Sequence, residues 1–209
     1  MSKNKKIFFS IVLVFILALT LILLLHFLFS TSKNINNEEP EIINLEREYV
    51  FEDLENYIIE GSEEELIVKN KNIGLLFTAP PTWNIEKEEF NITNNNNEKV
   101  IIIKSPDYQE SNDFYPREGC KIYFAAYTEE SYYNHLKQKI ESTLLDKNDT
   151  ELVEVNEFFG VIYEVENKII VRIPAKERIY EVGLYFLEED SDCRNAYYSL
   201  INTILLDYD

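Results

Sequence analysis

The chain has 209 residues, with 20 Lys and Arg against 38 Asp and Glu, a net charge of −18, five glycines and two cysteines. So acidic a chain lacks the basic surface that phosphate neutralisation requires, which argues against nucleic acid and against docking on anionic lipid. The few glycines leave no loop that would cradle a phosphate.

The first thirty residues carry a basic stub, residues 1–6, and an apolar run, Ile7 to Phe29, interrupted only by Ser10, Thr20 and His26. Twenty-three residues make about 34 Å of helix, enough for a hydrocarbon core that needs about 20. A cleavable signal has a shorter apolar region, roughly 7–15 residues, and a small-residue site. Ser30-Thr31-Ser32 imitates that site only weakly, so an uncleaved signal anchor is favoured over a cleaved signal. Lys3, Lys5 and Lys6 place the N-terminus inside and the rest of the chain outside. Without those three lysines the remainder holds 17 basic residues against 38 acidic, a net of −21. A solvated acidic face accounts for that charge, and a basic partner is its sharper reading.

Residues 30–44 read as a juxtamembrane linker with little to bury. In residues 45–65, Leu45, Tyr49, Leu54 and Ile58 outline a short helix, and the stretch from Gly61 to Glu65 reads as a loop. Residues 66–209 are long enough for one domain with its own core.

Within that domain Leu66 to Val68 and Ile73 to Ala79 read as strands, the second stopped by Pro80-Pro81. Trp83 opens a third that ends in Glu86-Lys87-Glu88-Glu89, and Asn94 to Asn97 is a polar turn. Val100 to Ile103 is continuously apolar, as in a central strand covered on both faces. Residues 104–118 form a long irregular loop. From Cys120 to Tyr127 the alternation gives one face of Cys120, Ile122, Phe124 and Ala126 and another of Lys121, Tyr123, Ala125 and Tyr127.

Thr128, with Glu129 and Glu130 behind it, starts a helix, whose buried stripe is expected to be Tyr133, Leu136, Ile140 and Leu144. Phe158 to Val165 and Lys168 to Ile173 read as a hairpin across Glu166-Asn167, with Pro174 stopping the second strand. Ile179 to Leu187 is a further strand, showing Tyr180, Val182, Leu184 and Phe186 on one face. A closing helix begins near Asp190, Ser191 and Asp192 and buries rows containing Ala196, Leu200, Ile204 and Tyr197, Ile201, Leu205.

Cys120 and Cys193 either form one disulfide or remain two buried thiols. An even count in an oxidising compartment favours the bond. Two cysteines make a poor zinc site beside one exported histidine, His135. His135 reads as a surface residue, and no serine sits in a Gly-x-Ser-x-Gly elbow. The run Glu188-Glu189-Asp190-Ser191-Asp192 lacks the spaced ligands and turn glycine of a calcium loop, so helix capping explains it. No metal site, cofactor or catalytic residue is expected.

The segment Leu75-Leu76-Phe77-Thr78-Ala79-Pro80-Pro81-Thr82-Trp83 resembles the F-x-x-P-x-x-W opening of PsbP-like domains. Ile103-Lys104-Ser105-Pro106-Asp107 resembles their strand ending in Ser-Pro-Asp, and Ser199 to Leu205 resembles their closing helix, although Leu205-Leu206-Asp207 replaces the usual aromatic residue. The resemblance spans about residues 66–207. It implies an α+β fold, an antiparallel sheet flanked by helices on both faces in a PsbP-like α/β/α arrangement, here preceded by one N-terminal transmembrane helix. Bacterial members are exported or membrane-anchored, and plant members assist photosystem II without doing chemistry. No photosynthetic docking motif is present, and no functional residue carries over. Trp83 reads as a packing anchor.

These readings converge on a single-pass protein of the cytoplasmic membrane with an extracytoplasmic, non-catalytic binding or assembly module. It would work by contact with an envelope protein partner. Tyr108, Phe114, Tyr115 and Arg117 in the irregular loop are the contact candidates, with tucking back onto the domain the equal alternative. The other function classes are a small-molecule or calcium-binding envelope sensor and a carboxylate-dependent envelope hydrolase, which needs two carboxylates flanking a cleft.

Overall fold

The computed structural model describes residues 49–62, 64–93, 96–111, 115–146, 152–165, 167–186 and 191–208. These belong to one unit, Arg47–Asp209. No helix among the described residues is long and apolar enough to cross a membrane, and the run from Ile7 to Phe29 lies outside them.

Eleven strands and two α-helices follow in chain order among the described residues. They are β1 (Val50–Phe51), β2 (Ile58–Ser62), β3 (Glu65–Asn70), β4 (Leu75–Thr78), β5 (Asn84–Thr93), β6 (Asn96–Lys104) and β7 (Cys120–Thr128). Then come α1 (Glu130–Asp146), β8 (Leu152–Val155), β9 (Phe158–Val165), β10 (Lys168–Ala175), β11 (Arg178–Phe186) and α2 (Ser191–Thr203). The large sheet runs β5-β6-β7-β11-β10-β9-β8, with β1 also paired to β7, and every pairing is antiparallel. A small sheet runs β2-β3-β4. The architecture is therefore α+β, mostly antiparallel sheet with two helices.

Alternation on the strands sorts the core into two layers. On the first face Ile101, Ile103, Ile122, Phe124, Val171, Val182 and Leu184 are fully buried, together with α2 residues Tyr197, Leu200 and Ile201 and with Val68, Leu75 and Phe77 of the small sheet. Phe124 lies 5.2 Å from Phe77 and 6.4 Å from Tyr180, ring centre to ring centre, and so joins the two sheets. Tyr180 and Tyr197 turn their hydroxyls onto the Ile73 and Val182 carbonyls, at 2.7 and 2.8 Å, which removes the penalty of burying a phenol. Cys120 on β7 and Cys193 in the first turn of α2 form a disulfide, with Cα atoms 6.0 Å apart. The second face packs Tyr127, Ala125, Val161 and Ile179 against Leu136 and Ile140 of α1.

Several expectations need correction. Residues 49–62 form strands β1 and β2 with a short 3₁₀ turn at Leu54–Asn56, not a helix and loop; Leu45 lies outside the described residues. The fold draws this segment in because Tyr57 enters the first-face core. Buried Glu52 also accepts from Asn56 at 2.8 Å and pairs with Arg178 at 3.3 Å. Gly61 sits at φ +123° in the β2–β3 hairpin, where a Cβ would lie 2.0 Å from the Glu65 carbonyl oxygen; only glycine fits there.

Strand β5 runs past Glu89 to Thr93, and β8 is an additional edge strand. Pro174 does not stop β10. It pairs with Ile179 of β11, while pairing with β9 ends at Arg172, so the ring lies where one side needs no ladder bond. On α1 the buried stripe ends at Thr143, and Leu144 is exposed, because the helix turns its last turn off the sheet. Leu205 is also exposed; it has left α2 and bridges to Leu76, while Leu206 takes the buried place. Trp83 is half-buried against the first-face core, as a packing residue should be.

Candidate functional site

Helix α1 lies against β9 and β10 and reaches Ala125, Tyr127 and Ile179, leaving open the second face of β5 and β6 and the Lys121–Tyr123 and Gly183–Tyr185 ends of β7 and β11. A cleft of about 370 Å³ occupies that space. Strand alternation supplies its walls. Glu98, Val100 and Ile102 come from β6, Lys121 and Tyr123 from β7, Glu181 and Tyr185 from β11, and Lys168 from β10. Phe90 of β5 and Tyr115 of the loop before β7 complete the rim. Val100 and Ile102 are almost fully buried and make an apolar floor.

Glu181 organises the inner end. It is buried on a strand that is otherwise nearly all apolar, and three donors answer it: the Tyr123 hydroxyl, the Tyr127 hydroxyl at 3.1 Å and Arg172 Nε at 2.6 Å. Arg172 lies against the faces of Tyr132 and Tyr163, each 5.3 Å from the guanidinium, and donates to the Tyr132 hydroxyl at 2.5 Å. This ties α1 to the sheet at the seam beside the cleft. Burial, and then the Glu181 carboxylate, push the Tyr123 hydroxyl well above its ordinary value, so it stays a donor. Gly183, opposite Tyr123 on β11, makes the geometry possible. A Cβ there would lie 1.9 Å from the Tyr123 ring, so the ring crosses the strand where no side chain stands.

The outer end is a cross-strand row in which Lys121 is opposite Tyr185 and Tyr185 is opposite Lys168. The Lys168 ammonium stands 4.6 Å and the Lys121 ammonium 5.5 Å from the Tyr185 ring centre, a favourable cation–π arrangement. Burial lowers the pKa of both lysines. Burial and the neighbouring Glu181 raise that of Glu98.

Of the loop residues expected at a contact surface, Tyr115 lies on the cleft rim with its ring 5.8 Å from Tyr185, and Tyr108 folds back beneath Lys104 at 5.4 Å. Arg117 is exposed and its backbone N–H donates to the Gln109 carbonyl. Phe114 lies outside the described residues. The loop thus brings one of its candidates to the cleft. His135 is exposed and stacks on Tyr132. No group of three or more His, Cys, Asp or Glu that would hold a metal occurs among the described residues, and Glu188 to Asp190 lie outside them.

Sequence reasoning identified the Lys121, Tyr123, Ala125, Tyr127 face but assigned it no role, and it passed over Glu98, Lys168, Glu181 and Tyr185. The available signal was a carboxylate, Glu181, set into the apolar run Ile179 to Phe186, since a buried charge needs partners. No protein-family model matches the chain, and neither does any curated protein or solved structure.

Proposed function

We propose that the chain is a membrane-anchored, extracytoplasmic, non-catalytic binding module whose ligand seats in the cleft beside α1. The observation that carries this reading is the cleft itself, an apolar floor ringed by aromatic and charged side chains, the usual composition of a binding site. Glu181, the best-placed carboxylate, is engaged by two phenols and a guanidinium. That favours a structural role for it over the paired-carboxylate chemistry of a hydrolase. The anchored placement rests on the apolar run from Ile7 to Phe29 and its lysine flank, and the Cys120–Cys193 disulfide supports an oxidising compartment. The sheet with a helix against each face supports the PsbP-like resemblance over residues 66–207.

Site-specific photo-crosslinking tests the binding reading. A benzoylphenylalanine replaces Tyr115 at the rim in one sample and exposed Glu154 on β8 in another, in full-length protein in native membranes. Adducts from the first position and none from the second are expected. Equal labelling, or none, removes the cleft as the binding site. The placement is tested with a membrane-impermeant thiol reagent on intact cells carrying Glu154→Cys, an exposed position on β8, because Cys120 and Cys193 are buried and bonded: the new cysteine should label, and labelling seen only after lysis would reverse the topology.

A further inference from the structure

Three features of the outer end of the cleft point to one ligand class. First, Lys121 and Lys168 flank Tyr185 in strict register on β7, β11 and β10. Adjacent strands lie about 4.8 Å apart, so the two lysine backbones are roughly 10 Å apart with one aromatic ring between them. Their long flexible stems let both ammoniums converge on a single anionic head. Second, the carboxylate at the inner end of the cleft does not oppose such a head strongly, because Glu181 is already answered by Tyr123, Tyr127 and Arg172. Third, the cleft continues from the lysines over Val100 and Ile102 towards Phe90, which offers apolar surface for the body of a ligand, while Glu98, opposite Phe90, disfavours a second negative charge at that end.

We propose that the Lys121–Tyr185–Lys168 row is an anion subsite, and that the cleft takes a small organic anion with an apolar, ring-sized body. The carboxylate or phosphate head lies between the two ammoniums and the body rests on Val100 and Ile102. A volume of about 370 Å³ is at the small end of ligand pockets, which suits one small molecule better than a peptide. A charge-assisted contact in such a desolvated site is stronger than one in water.

This inference rests on the binding-module reading. It is tested with full-length protein in nanodiscs of zwitterionic lipid, by ligand-observed NMR titration of phenylacetate, phenyl phosphate, phenylacetamide and phenethylammonium. At least one of the two anions should bind about tenfold or more tighter than the neutral amide, as expected for a charge-assisted hydrogen bond. Whichever anion leads identifies the head. The double variant Lys121→Met, Lys168→Met should bring the leading anion and the amide to within about twofold of each other, and Lys121→Arg, Lys168→Arg should keep the anion preference. Equal affinity for acid and amide, a preference for phenethylammonium, an undiminished preference in the Met variant, or no binding of any of the four overturns the proposal. A Tyr115 crosslink obtained alongside any of those results would show that the ligand class is wrong while the cleft remains the binding site.

Discussion

The two faces of the large sheet are built by the same strands and finished differently. On the first face Cys120, Ile122, Phe124 and Ala126 of β7 and Tyr180, Val182, Leu184 and Phe186 of β11 are buried, two further layers cover them, and a disulfide pins one of those layers. On the second face, one residue along the same strands, stand Lys121, Tyr123, Gly183, Glu181 and Tyr185, and a single helix covers only part of the surface. The closed core and the open cleft thus lie on opposite parities of the same strands. On β7 a change at Lys121 or Tyr123 touches the cleft, one at Ala125 or Tyr127 touches the layer under α1, and one at Cys120, Ile122, Phe124 or Ala126 touches the first-face core.

Breaking the closed face should have the largest effect. Phe124→Ala removes a fully buried ring at the junction of the two sheets and should cost about 3–5 kcal/mol in urea unfolding. A loss below about 1 kcal/mol would mean that the first face is not the seat of stability. Replacing both cysteines, Cys120→Ser with Cys193→Ser, frees a crosslink between residues 73 apart and should cost about 2–5 kcal/mol. Reductant should shift the wild-type melting temperature in the same sense and leave the variant unmoved.

The open face should respond less in stability and more in binding. Gly183→Ala places a methyl where the Tyr123 ring lies and should cost about 1–3 kcal/mol. It also moves Tyr123 away from Glu181, so cleft crosslinking should fall even in protein that remains folded. The smallest effect runs in the opposite direction. Because the folded state raises the Glu98 pKa, its contribution to stability is present below the ordinary glutamate value and is lost as pH rises through the folded one. Once ionised, the half-buried Glu98 is a burden, and under those conditions Glu98→Gln should stabilise by about 0.5 kcal/mol. That gain should fade as the pH falls towards about 4. Urea midpoints across that range decide it, and a gain that grows on acidification would reverse the assignment.

Much of this partition was legible in the sequence. The alternation from Cys120 to Tyr127, the face shared by Tyr180, Val182, Leu184 and Phe186, the Glu166-Asn167 hairpin and both helices are local patterns, and local patterns are readable. The misreadings share one cause, tertiary context. The segment 49–62 lacks a helical or strand period strong enough to decide by itself, and it becomes strand because β7 and β3 offer partners and Glu52 and Tyr57 find buried places. Pro174 reads as a stop until the missing pairing with β9 is known. The cleft was less legible than the fold because its residues come from five strands and a loop, and no spacing along the chain brings Glu98, Lys121, Lys168 and Glu181 together. Only the pairing order does that. Tyr115 was found because an aromatic in a loop is conspicuous without any fold.

The covalent link between β7 and α2 encloses α1 and strands β8 to β11 in one ring of chain. A single backbone cut anywhere from residue 121 to 192 therefore leaves one molecule. The two pieces remain tied at Cys120 and Cys193 and still share the sheet, and they part on a denaturing gel only after reduction. On the exported reading, a protease that nicks this half of the domain produces a two-chain form that can keep its fold, whereas a cut before residue 120 has no such protection.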